Sequence, residues 1–194
     1  MASLVLSGDT SGSITVAAPA VAGSNTQTLV AATGTLAPTV SGIAVTLTNQ
    51  TGPEFTGIPS WVKRITLTFS AVSTNGTAPP IIQIGSGSYT TSGYLGANSA
   101  IAASSVVTVV FTTGFGIGVN TGAWAATSVV NGAITLTLHN GNTWVASGSV
   151  GTSTGTAVYL TAGSVPLSGA LDRVRLYIDG TQQFDAGTIN ILYE

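Results

Sequence analysis

Apolar and polar residues alternate with period two along most of this chain, and that period restricts it to β-structure. Ile65-Thr66-Leu67-Thr68-Phe69, Ile134-Thr135-Leu136-Thr137-Leu138 and Val174-Arg175-Leu176-Tyr177-Ile178 each place apolar side chains on one face of a strand. Residues 44–48, 81–84, 105–111, 144–150, 157–161 and 189–193 follow the same pattern. Between them stand the turn-forming pairs Asn75-Gly76, Asn131-Gly132, Asn140-Gly141 and Asp179-Gly180. No amphipathic helical window of useful length interrupts the series. Short strands at near-regular spacing predict an all-β chain: an antiparallel β-sandwich, jelly-roll-like, preceded by a short extended N-terminal segment.

What covers this sandwich is unusual. The 194 residues include four Lys/Arg and six Asp/Glu, where ordinary domains carry roughly a quarter charged residues. The surface must be built instead from 21 Ser, 31 Thr and 25 Gly. A net charge of −2 without a basic run argues against nucleic acid or an anionic membrane as partner. The chain has no Cys, so neither disulfides nor thiol chemistry enter. The opening Met1-Ala2-Ser3-Leu4-Val5-Leu6 lacks a positive n-region, and Gly8-Asp9 cuts its apolar run short, so synthesis in a cytoplasm without export is expected.

Residues 1–36 differ in texture from the rest. They hold two or three short alternating stretches, around 3–6, 13–16 and 26–30, among small residues, and no large aromatic occurs before Phe55. So little apolar surface cannot fold alone. The expected organisation is therefore an attachment or assembly segment, 1–36, and a β-sandwich domain, 37–194.

Two stretches carry a resemblance. Residues 7–26, Ser7-Gly8-Asp9-Thr10-Ser11-Gly12-Ser13-Ile14-Thr15-Val16-Ala17-Ala18-Pro19-Ala20-Val21-Ala22-Gly23-Ser24-Asn25-Thr26, closing with Ala31-Ala32-Thr33-Gly34-Thr35, are similar to an N-terminal module of tail-fibre and other virion proteins of tailed bacteriophages. That module often has Pro where this chain has Val30. Phe55-Thr56-Gly57-Ile58-Pro59-Ser60-Trp61-Val62-Lys63-Arg64-Ile65-Thr66, Ile82-Gln83-Ile84-Gly85-Ser86-Gly87 and the stretches 171–176 and 184–194 resemble a β-sandwich domain of phage fibre and surface proteins. The resemblance implies a fibre or decoration protein on the virion, a homotrimer, with residues 1–36 meeting other virion proteins.

Few residues suggest chemistry. His139 stands without a carboxylate or Cys nearby in sequence and reads as a strand-end surface residue. Asp172, Asp179 and Asp185 are spaced seven and six apart, unlike the alternate-residue spacing of a cation loop. Asp172 reads as an Arg partner and Asp179-Gly180 as a hairpin turn. The six carboxylates are scattered, with no glycosidase pair visible, and no Gly-x-Ser-x-Gly elbow leads a strand into a helix. No cofactor, metal or catalytic residue is expected.

The aromatics offer more. Tyr89, Tyr94, Phe115 and Trp124 lie among Ser, Thr and Gly, where rings rimmed by hydroxyls suit sugar faces. The competing reading is that such rings pin loops to the core, and for Trp144 it is preferred. The expectation is a non-enzymatic virion protein whose loops between 86 and 128 contact host-surface glycans. The alternatives are a small envelope-polysaccharide depolymerase and a pure carbohydrate-binding module.

Overall fold

The computed structural model describes residues 3–7, 13–17, 38–119, 124–153 and 157–194. The chain divides into two compact units, Met1–Leu36 and Ala37–Glu194. In the first, β1 (Ser3–Ser7) and β2 (Ser13–Ala17) form an antiparallel hairpin with Val5 opposite Thr15.

The second unit is an antiparallel β-sandwich, and no helix occurs among the described residues. Its strands are β3 (Val40–Ser41), β4 (Val45–Thr46), β5 (Glu54–Thr56), β6 (Arg64–Thr74), β7 (Ile81–Ser86), β8 (Ser88–Tyr89) and β9 (Leu95–Ala102). There follow β10 (Ser105–Phe111), β11 (Phe115–Gly116), β12 (Val130–Asn140), β13 (Thr143–Thr152), β14 (Ala157–Pro166), β15 (Arg173–Tyr177) and β16 (Phe184–Tyr193). The large sheet runs β10-β9-β14-β13-β12-β6-β16-β3, with β4 also on β16. The small sheet runs β11-β7-β15-β5, with β8 on β7.

The chain crosses repeatedly between the sheets, and its pairings nest. β9 pairs β10, β7 pairs β11, β6 pairs β12 and β5 pairs β15, each pair enclosing the one before. β13 and β14 extend this plan as a meander inside the large sheet.

The period-two pattern explains which faces meet. Ile65, Leu67 and Phe69 of β6 and Ile134 and Leu136 of β12 point inward, against Ile82, Ile84, Val174 and Leu176 of the small sheet. All are buried, as are Trp144, Tyr159 and Phe184. Gly96 and Gly163 face each other in β9 and β14, and the Phe111 ring lies over both. A Cβ on either would come within 2.7 Å of that ring.

Three sequence expectations are corrected. Asn131-Gly132 is not a turn; it lies inside β12 at a register shift against β6. There Asn131 Oδ1 accepts from the N–H of Ala71, whose φ is +52°. Asp179-Gly180 does turn, but it joins β15 of the small sheet to β16 of the large one, so it closes no hairpin. Much of the expected loop region 86–128 is strand, because β9, β10 and β11 fall within it.

Candidate functional site

Four of the charged side chains, Glu54, Asp172, Arg173 and Arg175, gather at the small sheet. Between Arg64 and Asp172 the sequence holds no Asp, Glu, Lys or Arg. In β15, Val174 and Leu176 enter the core, so the alternation turns Arg173, Arg175 and Tyr177 to the outer face of the small sheet. Strand register then sets Arg175 between Glu54 of β5 and Gln83 of β7.

Arg175 is tightly held. Its Nε donates to Gln83 Oε1 at 2.9 Å, and the buried Gln83 amide donates in turn to the Thr113 carbonyl at 2.8 Å. Its guanidinium lies 4.2 Å from the Tyr89 ring centre and 4.6 Å from that of Tyr177, a cation–π arrangement. A Glu54 carboxylate oxygen stands 3.7 Å away. Burial, then the charge of Glu54, pushes the Tyr89 hydroxyl up to about 12. Beside this row Arg173 forks onto Asp172 at 2.7 and 3.2 Å, and both Asp172 oxygens accept from the Gly87 N–H. The Arg173 hydrogen bonds hold the Asp172 carboxyl below its usual range.

A cleft of about 220 Å³ opens next to Arg175. Tyr177 and Ile81 supply apolar wall; Gln83, Thr91, Thr113 and Asp179 supply polar groups. This lining mixes one cation, one carboxylate, hydroxyls and an aromatic ring, which suits a small polyhydroxylated ligand.

The outer face of the large sheet is the opposite case. β9, β10, β12, β13 and β14 carry no charged side chain. One row across this face reads Val110, Ala97, Ala162, Ser147, Thr135, Thr66, Leu192; another reads Val106, Ile101, Val158. Leu95, Ile101, Val106, Val110, Val145, Val158, Leu160 and Leu192 are all exposed. The hydroxyls partner one another, Ser99 with Thr108 at 2.8 Å and Thr66 with Thr135 at 3.5 Å. At the rim Arg64 pairs with Glu194.

Of the four aromatics expected at a sugar-binding surface, three are core. Tyr94 and Phe115 are fully buried and meet edge-to-face at 4.9 Å, with Phe111 against Phe115 at 5.8 Å. The Tyr94 hydroxyl donates to the Thr90 carbonyl and accepts from the Ile84 N–H. Trp124 is also buried; its indole N–H donates to Thr74 Oγ1 at 3.0 Å and its ring tilts over Tyr159. Hydroxyl-rich neighbours made these rings resemble loop residues, but small neighbours are also what lets a large ring reach the interior. Tyr89 alone stays half-buried at the surface, in the Arg175 cluster. Trp144 is buried, as its strand register indicates.

His139 is exposed at the end of β12. Among the described residues no three His, Cys, Asp or Glu side chains converge. Asp185 accepts from the Ser73 hydroxyl, and Asp172 serves as the Arg partner expected of it. Sequence reasoning missed Arg175, Tyr177 and Gln83 as a cluster. The available signal was the Arg-x-Arg-x-Tyr alternation after a long charge-free run.

No protein-family model, curated protein or solved structure matches this chain.

Proposed function

We propose that this chain is a structural protein of a tailed-bacteriophage particle, a fibre or decoration protein that self-associates through the outer face of its large sheet. The observation that carries this reading is the absence of charge from β9, β10, β12, β13 and β14 on that face, together with its exposed Val, Leu and Ile side chains. Covering hydroxyls that already partner one another costs far less than covering Lys or Glu. Contiguous exposed apolar surface of this kind marks interaction sites.

The sequence resemblance supplies the virion, the homotrimer and the contact of residues 1–36 with other virion proteins. Synthesis in the bacterial host then precedes incorporation into the particle. The jelly-roll assignment draws on the nested pairs β5–β15, β6–β12, β7–β11 and β9–β10, which are those of a long hairpin rolled into two sheets. Light scattering should return three times the chain mass of 19.2 kDa, or a whole multiple of that trimer. A monomer at micromolar concentration overturns the reading.

The cleft beside Arg175 supports a second element, contact with host-surface glycans. Tyr177 offers a ring face, Arg175 a donor, Asp179 an acceptor, and Thr91 and Thr113 hydroxyls. Among the described residues Asp179 is the carboxylate lining this cleft, which favours carbohydrate binding over the two-carboxylate chemistry of a depolymerase. Such contacts are individually weak and gain strength from many copies per particle. Tyr177→Ala should lower adsorption to host cells at a temperature where the variant is still folded. Unchanged adsorption leaves a protein that only coats or reinforces the particle.

A further inference from the structure

Sheet edges divide this sandwich unequally. The small sheet ends in β11 and β5, of two and three residues, and the far edge of the large sheet is broken into β3 and β4, of two residues each. Short or interrupted edges offer little backbone for a neighbouring chain to pair with. The remaining edge is β10, seven residues long, which among the described residues pairs only β9. It contains no charge, no Pro and no Gly, and its register with β9 is regular throughout. Val106 and Val110 are 68% and 76% exposed on its outer side. Natural proteins blunt or cover such edges, so one left long, regular and uncharged is a template for pairing with another strand.

The sequence of β10 identifies the occupant. Ser105-Val106-Val107-Thr108-Val109-Val110-Phe111 is nearly palindromic about Thr108. Run antiparallel to itself about that residue, it sets Val106 opposite Val110 on the outer face, Val107 opposite Val109 on the inner face, and Thr108 opposite Thr108. Every cross-strand pair but the terminal one then joins identical residue types, with β-branched side chains against each other. A two-fold contact requires this self-complementarity. We infer that β10 pairs antiparallel with β10 of a second copy, centred on Thr108, and so joins two large sheets into one. This deepens the assembly reading and rests on its premise that copies of the chain meet; it adds a two-fold contact to the trimer, giving a particle of six chains.

The chain's lack of Cys makes the test clean. Opposed residues in an antiparallel pair have Cα atoms about 4.5 or 5.5 Å apart, both within disulfide reach. Thr108→Cys should therefore cross-link to a dimer under mild oxidation. Ser99→Cys, one strand further in, would stand about 14 Å from its mate at the usual strand spacing and should not. Val106→Cys and Val110→Cys should cross-link when the two variants are mixed, and neither alone. Thr108→Lys, which opposes two ammonium groups at an exposed position, should halve the mass seen by light scattering, while Thr108→Ser should not change it. The inference is overturned if Thr108→Cys forms no cross-link and the mass is indifferent to Thr108→Lys. Self-cross-linking of Val106→Cys overturns it too, because residue 106 stands opposite its own copy only in a parallel pair or in an antiparallel pair centred away from Thr108. A mass that Thr108→Lys reduces from six chains to three supports both readings. A reduction from two chains to one supports the β10 contact and overturns the trimer; three chains in both proteins do the reverse.

Discussion

The two outer faces of the sandwich solve the same problem, covering a sheet, with opposite materials. The small sheet concentrates Glu54, Asp172, Arg173 and Arg175 in a few adjoining positions, and each charge has a near neighbour of opposite sign or a cation–π ring. The large sheet uses hydroxyls, methyls and backbone, with its ion pair, Arg64 and Glu194, at the rim. Fixed charges must stay near water or near their partners, so a face built on them resists being covered. A face of Ser, Thr, Ala and Val can be covered or left open at little cost. Scarcity of charge in this chain is therefore a property of one face, and the composition of the whole molecule conceals it.

Substitutions that separate interior from surface should show the largest effects. Trp124→Ala removes a buried ring and leaves Thr74 Oγ1 without its indole partner, and calorimetry or denaturant melts should show a loss of about 3–5 kcal/mol. Stability unchanged by this variant would return Trp124 to the surface role first expected of it. Arg175→Met keeps the aliphatic stem but strands the Gln83 carbonyl oxygen and breaks both ring contacts, at an expected cost of about 1–3 kcal/mol in denaturant melts. The matched change on the other face, Thr135→Val, should fall within about 0.5 kcal/mol. Equal costs for these two would erase the contrast between the faces.

Association should respond the other way. Ala133→Lys places a charge in the middle of the large sheet's outer face and should lower the assembled mass in light scattering with little change in melting temperature. A charge added at Thr56 on the small sheet should leave the mass alone.

Acid and base should act through the small-sheet side. The Asp172 carboxyl sits below its unfolded range, so its contribution is present at neutral pH and is lost as pH falls through the folded value. Asp172→Asn should flatten that acid limb in a melting series. Tyr89 and Tyr94 are raised to about 12 from 10, so they favour the fold fully below pH 10 and withdraw that support as pH climbs towards 12. Phenolate absorbance should therefore rise together with unfolding in that window. Early, non-cooperative ionisation of all five Tyr would contradict the burial of these two.

Strands with one large apolar side chain at every second position were legible in sequence: Ile65 to Phe69, Ile134 to Leu138 and Val174 to Ile178 all lie in β-structure or at its border. β9 was not, because Leu95-Gly96-Ala97-Asn98-Ser99-Ala100 has residues too small to mark a face; Asn98 and Ala100 are its buried side. Asn131-Gly132 has the same letters as a hairpin turn, and only its pairing with β6 shows it to be a bulge. The Arg175 cluster was invisible for a related reason. Glu54, Gln83 and Arg175 are far apart in the chain, and their contact is a matter of register between strands, which no single stretch encodes.

The nested order of the pairings has a consequence for synthesis. While the chain emerges from the ribosome, β9 and β10 can meet at once, but β5 and β6 wait for β15 and β16, made more than a hundred residues later. Until then β6, destined for the middle of the large sheet, has both edges free for part of that time and its apolar face uncovered. Closure is thus tied to the emergence of β15 and β16, and contacts so distant in sequence make folding slow as well as late. Deleting β16 should leave nascent protein bound to chaperones or aggregated, rather than a smaller sandwich.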